Sequence, residues 1–297
     1  MKDATMKILT LGDEEARANA LERHADYRVL RRVPDFGQVA YQPLEHPTVR
    51  IAVVDTETTG LNPATDAVIE LGMTVVELCA EGAPVVIHAP ESWTNDPGFP
   101  LPPQITDLTG LTDELLAGTA FDDGAINDTL RYVDLIVAHN AAFDRAFMTK
   151  AFPLTAERQW ACSCRDIDWR AEGFDGHALG HLLTQAGRFN DVHRAGADSW
   201  SLTWLLLQDA KDGRTFASHL IEAANTPVHR VYAAHAPFNI KEKLKSAGYR
   251  WDPRKHFWYR DRSPAEFESE LEWLADLNPN IRPFSQEVHP LDRHATH

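Results

Sequence analysis

A chain of 297 residues with 43% hydrophobic and 25% charged side chains has the composition of a globular protein large enough for one α/β domain and a smaller unit. No run reaches the ~18–20 apolar residues of a membrane span, and the opening MKDATMKILTLGDEEARA lacks a signal-peptide apolar core. No membrane partner is therefore expected, and a cytoplasmic location is. The net charge of −15 is uneven: residues 50–209 carry 9 basic against 24 acidic side chains, whereas residues 228–262 carry 9 basic against 3 acidic. An acidic segment repels polyanions unless cations neutralise it, while a basic one attracts phosphate, so the two regions have different work to do.

In chain order, residues 13–24 read as a helix and 27–33 as a short strand, forming with the Pro-bearing stretch that follows an N-terminal extension over residues 1–49. RIAVVD (50–55) is apolar enough for a buried strand, and residues 67–78 and 84–88 supply two more. A Pro-rich loop at 89–103 precedes helical turns around TDELL and a helix near 121–132. DLIVAH (134–139) is a fourth strand, followed by a helix with Asn140 at its cap and Asp144 in its first turns. RQWACS gives a fifth strand, HALGHLLTQAG (177–187) a helix stopped by glycine, and AGADSWSLTWLLLQDA a long apolar helix. This main domain spans 50–210 and a linker 211–228. Beyond it, RVYAA, FNIKEKLKSAG, YRWDPRKHFWYR and PAEFESELEWLADL read as strand, helix, hairpin and helix, a small α+β module over 229–280 with an irregular tail over 281–297.

Three cysteines, Cys79, Cys162 and Cys164, are too few for a disulfide framework. The spacing of Cys162 and Cys164 with His177 and His181 fits no standard zinc site, and two small side chains on one strand face is the better reading.

The chemistry starts at VVDTETTG (53–60). Side chains at i and i+2 leave a strand on the same face, so Asp55 and Glu57 project together from its C-terminal end, where α/β sheets commonly bind ligands. Two convergent carboxylates repel, and hard divalent cations relieve that repulsion. A D-x-E at a strand end is weak by itself, since carboxylates often stand where water begins. HNAAFD adds Asp144 on the helix after the fourth strand, and HRAGAD (193–198) adds His193 and Asp198. In this order the three segments resemble the three motifs of the DnaQ-like DEDDh 3'-5' exonucleases, over roughly residues 50–210.

The resemblance implies a ribonuclease H-like core, a mixed five-stranded sheet flanked by helices, and two Mg²⁺ or Mn²⁺ ions held by Asp55, Glu57, Asp144 and Asp198. It implies in-line hydrolysis of a 3'-terminal phosphodiester with His193 as general base, releasing nucleoside 5'-monophosphates. It further implies that Leu61 packs on the last bases and that Thr56 or Thr58 hydrogen-bonds the 3' end, whereas Asn140 and Phe143 support the helix.

The C-terminal module mixes basic and aromatic side chains as single-strand binders do. Lys241 and Lys245, one helical turn apart, with Arg254, Lys255 and Trp258, are its candidate nucleic-acid contacts. AHNAAFDRAFM followed by WACSC resembles exonuclease X, and polymerase III epsilon-like proteins share the motifs, which favours DNA, single-stranded in particular. An exoribonuclease, a proofreading subunit bound to a polymerase or repair complex, and an idle module that binds nucleic-acid ends remain as alternatives.

Overall fold

The structure is a computed structural model and describes residues 7–8, 12–40, 46–190 and 193–295. Two compact units meet between Ala224 and Asn225.

The first unit is built on a mixed sheet. Strand β1 (Val49–Thr58) lies at its centre, antiparallel to β2 (Val68–Leu78) and parallel to β5 (Leu135–Ala138), which is parallel in turn to β6 (Gln159–Cys162). The strands β3 (Pro84–Ile87) and β4 (Glu91–Thr94) pair with opposite ends of β2, so six strands occupy a sheet five positions wide. That is the expected ribonuclease H-like core, with one strand position split in two.

Both faces of the sheet are covered, which is why β1 reads as a continuous apolar run. Ile51 and Val53 join one core cluster with Val137, Leu202 and Leu205, the last two from the helix Ala195–Leu206. Ala52 and Val54 join the opposite cluster with Ile136, Trp160 and, from the helix Ala141–Ala151, Met148. The period of two therefore assigns Asp55 and Glu57 to the side of Ala195–Leu206, and Thr56 to the side of Ala141–Ala151. The N-terminal extension packs as expected: Val33 enters the first cluster, and the Trp200 indole N–H donates to the Pro34 carbonyl at 2.7 Å.

The second unit is a four-stranded antiparallel sheet ordered Arg250–Asp252, Phe257–Arg262, Val228–Ala233, Phe284–Val288. The helices Lys241–Ser246 and Pro264–Leu277 give Leu244 and Leu274 to a core with Val231 and Ala233.

Three sequence expectations are corrected. Residues 211–228 are no linker: they contain the helix Phe216–Asn225, whose Phe216, Ala217 and Leu220 are buried in the core of the first unit. Five apolar positions carry that docking, Ala224 and the half-buried Ile221 with those three, and two of the five are alanines that make no long apolar run in sequence. The tail is not irregular throughout, because Phe284–Val288 pairs with Val228–Ala233 and completes the second sheet. Its side chains are mostly exposed, so it lacks the apolar alternation by which strands are recognised. Finally, β6 ends at Cys162, and Cys164 lies in the turn beyond it.

Replacing Phe216 by Ala should cost ~3–5 kcal/mol of unfolding free energy, the range for a deleted buried aromatic. Urea denaturation of the variant measures this, and a loss under ~1 kcal/mol would mean that the helix is peripheral to the first unit after all.

Candidate metal and active centre

Four carboxylates come to the C-terminal end of β1 from three directions. Asp55 and Glu57 arrive on the strand itself. The parallel pairing of β1 with β5 sets Ala138 beside Val54, and the chain then turns at Asn140, in the left-handed region at φ 71°, directly into Ala141–Ala151. Asn140 stands at the N-cap position as expected, although its side chain makes no capping hydrogen bond. Asp144, in the first turn of that helix, is buried and accepts from the Thr56 backbone N–H at 3.1 Å and from Thr56 Oγ1 at 2.8 Å.

Asp198 comes from the first turn of Ala195–Leu206. Its Oδ1 accepts from Asn190 Nδ2 at 2.6 Å and its Oδ2 from the backbone N–H of His193 at 2.9 Å. His193 itself is exposed and held at φ 66°, a conformation uncommon outside glycine.

Ligand oxygens of Asp55, Glu57 and Asp198 all lie within 4.8 Å of one another, and this is the one such group of metal-ligand side chains among the described residues. Asp144 stands outside that mutual set but close enough to repel Asp55. Burial pushes the Asp55 carboxyl well above the usual carboxylate range, with repulsion from Asp144, Asp198 and Glu57 adding to it. Glu57 is raised to about 7 by burial and then by Asp198 and Glu70, and Asp144 to about 7 by burial despite its bonds from Thr56. Asp198 is raised by burial as well. Three oxygen donors converge in a partly buried place where burial makes all three harder to ionise and repulsion adds to this for Asp55 and Glu57. That donor set fits a hard divalent cation, whose charge reverses the penalty.

Two residues that sequence reading missed hold this geometry. Glu70 is 1% exposed and stands directly across the β1–β2 ladder from Glu57, a like-charged pair that would be destabilising alone. Its carboxylate accepts from Arg194 Nε and Nη2, from Ser92 Oγ at 2.9 Å and from the Ala195 backbone N–H at 3.1 Å. Glu70 thus caps the helix that carries Asp198 and fixes the residue next to His193. The second is Gly72, the ladder partner of Asp55: a Cβ there would sit 2.0 Å from the Ala195 carbonyl oxygen. Only a glycine lets the helix start come so close to β2. The signal available in sequence was the IELG stretch, read only as a strand, and the arginine of HRAGAD.

The other expected site residues are distributed unevenly. Leu61 is 85% exposed just beyond β1. Thr56 and Thr58 are buried, with the Thr56 hydroxyl given to Asp144 and the Thr58 hydroxyl to the Gly60 carbonyl at 2.6 Å. Both hydroxyl protons are thus taken up within the protein, and period-two alternation sets both side chains on the face opposite Asp55 and Glu57. In the second unit Lys245, Arg254 and Lys255 are exposed, and Lys241 holds its Nζ 4.2 Å from the Phe238 ring centroid. Trp258 is half-buried against the module's core, so it is a packing residue before it is a contact.

Known proteins resemble the part of the chain that carries these carboxylates. Residues 52–199 match the RNase T family model, described as an exonuclease. The DNA polymerase III PolC-type protein of Bacillus subtilis is 32% identical over 189 residues, covering 61% of this chain and 12% of that protein. Its counterpart from Listeria innocua is 31% identical over 177 residues, covering 56% of this chain and likewise 12% of the relative. The chain therefore spans a small part of the length of these relatives. Among solved structures, an exonuclease X in complex with 5' overhanging duplex DNA aligns with 57% of this chain and 99% of its own, at 21% identity and a TM-score of 0.39. A zinc-bound complex of E. coli ExoI with single-stranded DNA aligns with 63% of this chain and 48% of its own, at 15% identity and a TM-score of 0.45.

Two outcomes are expected. Because the acidic groups bind protons more tightly folded than unfolded, they favour folding fully below pH ~4 and lose that contribution as pH rises through about 7. The melting temperature of metal-free protein should accordingly fall between pH 5 and pH 8 more than that of Glu57→Gln, and Mn²⁺ should raise it more at pH 8 than at pH 5.5. Equal Mn²⁺ effects at the two pH values would deny the carboxylates a role as ligands. Separately, Gly72→Ala should push the Ala195 end away and weaken Mn²⁺ binding at least ~10-fold by calorimetry, a factor worth ~1.4 kcal/mol; unaltered affinity would show that the helix start can yield without moving Asp198.

Proposed function

Since residues 52–199 place this chain in the DnaQ-like 3'-5' exonuclease family, we propose that it is a divalent-metal-dependent exonuclease that removes nucleoside 5'-monophosphates from the 3' ends of DNA, single strands in preference to duplex. The observation that carries the reading is the meeting of Asp55, Glu57 and Asp198 within 4.8 Å from a strand and a helix distant in sequence. Asp55, Glu57 and Asp198 would hold the cations, with Asp144 completing the set; oxygen donors alone favour Mg²⁺ or Mn²⁺ over softer metals. When bound, a pair of such ions supplies Lewis acidity to the scissile phosphate and a water that ionises near neutral pH.

The chain's own residues do the rest. Thr56 and Glu70 fix the carboxylates, so little reorganisation accompanies charge development. His193 stands exposed at the mouth of the centre, five residues before Asp198 and tied to it by its backbone N–H, and its imidazole takes the proton of the attacking water. Leu61, exposed beyond the strand end, supplies an apolar surface for the terminal base. The relatives are DNA polymerases of the III PolC type, which supports DNA over RNA and keeps a proofreading association as the second reading.

The test is the product ladder from end-labelled DNA and RNA oligomers of matched sequence with Mg²⁺ or Mn²⁺. Mononucleotides released progressively from DNA are expected, with His193→Ala slowing release ~10²–10⁴-fold and Asp55→Ala abolishing it. Faster loss of RNA would make the protein an exoribonuclease, and no mononucleotide release at all would leave only an end-binding module.

A further inference from the structure

The two faces of the second unit's sheet differ. Alternation gives Val231, Ala233 and Trp258 to the face covered by the helices Lys241–Ser246 and Pro264–Leu277. The opposite face receives Tyr232, Phe257, Tyr259 and Phe284, which the register sets side by side across three strands. Tyr232 and Phe284 stack with centroids 4.8 Å apart and planes at 15°, Phe257 meets Phe284 edge-on at 5.8 Å, and Tyr259 lies 5.9 Å from Tyr232. Cations lie against these rings: Arg230 and Arg250 at 4.5 and 4.8 Å from the centroid of Tyr259, and Lys255 Nζ at 4.3 Å from that of Tyr232.

The face also carries carboxylates. Asp261 is spent on Arg230 and Arg250, and Asp252 accepts from the turn N–H groups of Arg254 and Lys255. Lys255 Nζ donates only to the neutral amide of Gln286 at 2.9 Å among the bonds described, and Phe284 is 41% exposed. Tyr232 is buried, Phe257 and Tyr259 are half-buried, and Phe284 is the exposed ring of the four; an exposed ring with cations close by suits a ligand that has both flat apolar faces and a line of negative charge. A nucleic-acid single strand has both, and duplex hides the first.

We propose that this sheet face is a binding platform for single-stranded DNA, on which bases stack at Phe284 and Phe257 and phosphates pair with Lys255 and its neighbours. Charge complementarity carries the choice of partner: around these rings three cations, Arg230, Arg250 and Lys255, stand against two carboxylates, Asp252 and Asp261, and both arginines share Asp261, which leaves the face cationic toward a polyanion. The proposal rests on the nuclease reading only in that the strand held here is the substrate trimmed at the acidic centre. It relocates the contacts from Trp258 to the other side of the same strand.

The test uses the full chain in EDTA, where hydrolysis cannot occur, with the anisotropy of 5'-fluorescein dT20 as the readout across a salt series. Phe284→Ala should weaken binding about 5- to 150-fold, the effect of one lost stacked base. Lys255→Ala, in an exposed turn where folding is not at stake, should lower the slope of log affinity against log salt by about 1. Wild-type affinity in both variants, or tighter binding of the wild type to blunt duplex than to dT20, would overturn the platform. Failure of the nuclease reading looks different: no mononucleotide release with Mg²⁺ or Mn²⁺, while the binding losses persist.

Discussion

The centre depends on how closely the helix Ala195–Leu206 can approach strand β2. Asp198 reaches Asp55 and Glu57 only because Gly72 offers no side chain to the Ala195 carbonyl, and because Glu70 beside it accepts from the N–H that begins the helix. A helix start presents unsatisfied N–H groups and a partial positive charge, so a buried carboxylate is a fitting neighbour. The same carboxylate takes the Arg194 guanidinium, which offsets its own charge opposite Glu57. One contact therefore satisfies a helix terminus, neutralises a buried glutamate and sets the spacing of three metal-ligand residues.

The electrostatics of the first unit follow from that closeness. Burial raises the pKa of Asp55, Glu57, Asp144 and Asp198, and repulsion from neighbouring carboxylates raises Asp55 and Glu57 further, a folding penalty near neutral pH that a packed structural core would avoid. Local order is kept by neutral donors: Thr56 for Asp144, Asn190 and a backbone N–H for Asp198. Arg194, whose charge acts on Glu57, is itself bound to Glu70. A site furnished this way is set up for a cation from solution. The second unit solves an opposite problem, since its cations lie against aromatic rings and carboxylates on the sheet face away from its helices.

Much of this was legible in the residues. The strand order, the long apolar helix and the D-x-E, H-N-x-x-F-D and H-R-A-x-x-D segments are local patterns, and period-two alternation alone puts Asp55 and Glu57 on one face. The helix Phe216–Asn225 and the strand Phe284–Val288 escaped because each is defined by its partner: one by a core contributed from elsewhere, the other by ladder hydrogen bonds to Val228–Ala233. The internal partners of the Thr56 and Thr58 hydroxyls escaped for a different reason. Their neighbours in sequence are the clustered carboxylates, while their side chains point into the opposite side of the sheet.

Sequence by itself determined which carboxylates are candidates for the cluster, because carboxylates at a strand end and at two helix starts are a local arrangement of residue types. It also determined that the acidic and basic charges are kept apart along the chain. Tertiary structure alone decided that Glu70 and Gly72 belong to the centre and that Trp258 faces a core while Phe284 does not. Those facts rest on which backbone lies against which, a distance of a few ångströms between segments more than 100 residues apart in the case of Glu70 and Ala195, and no short-range pattern encodes it.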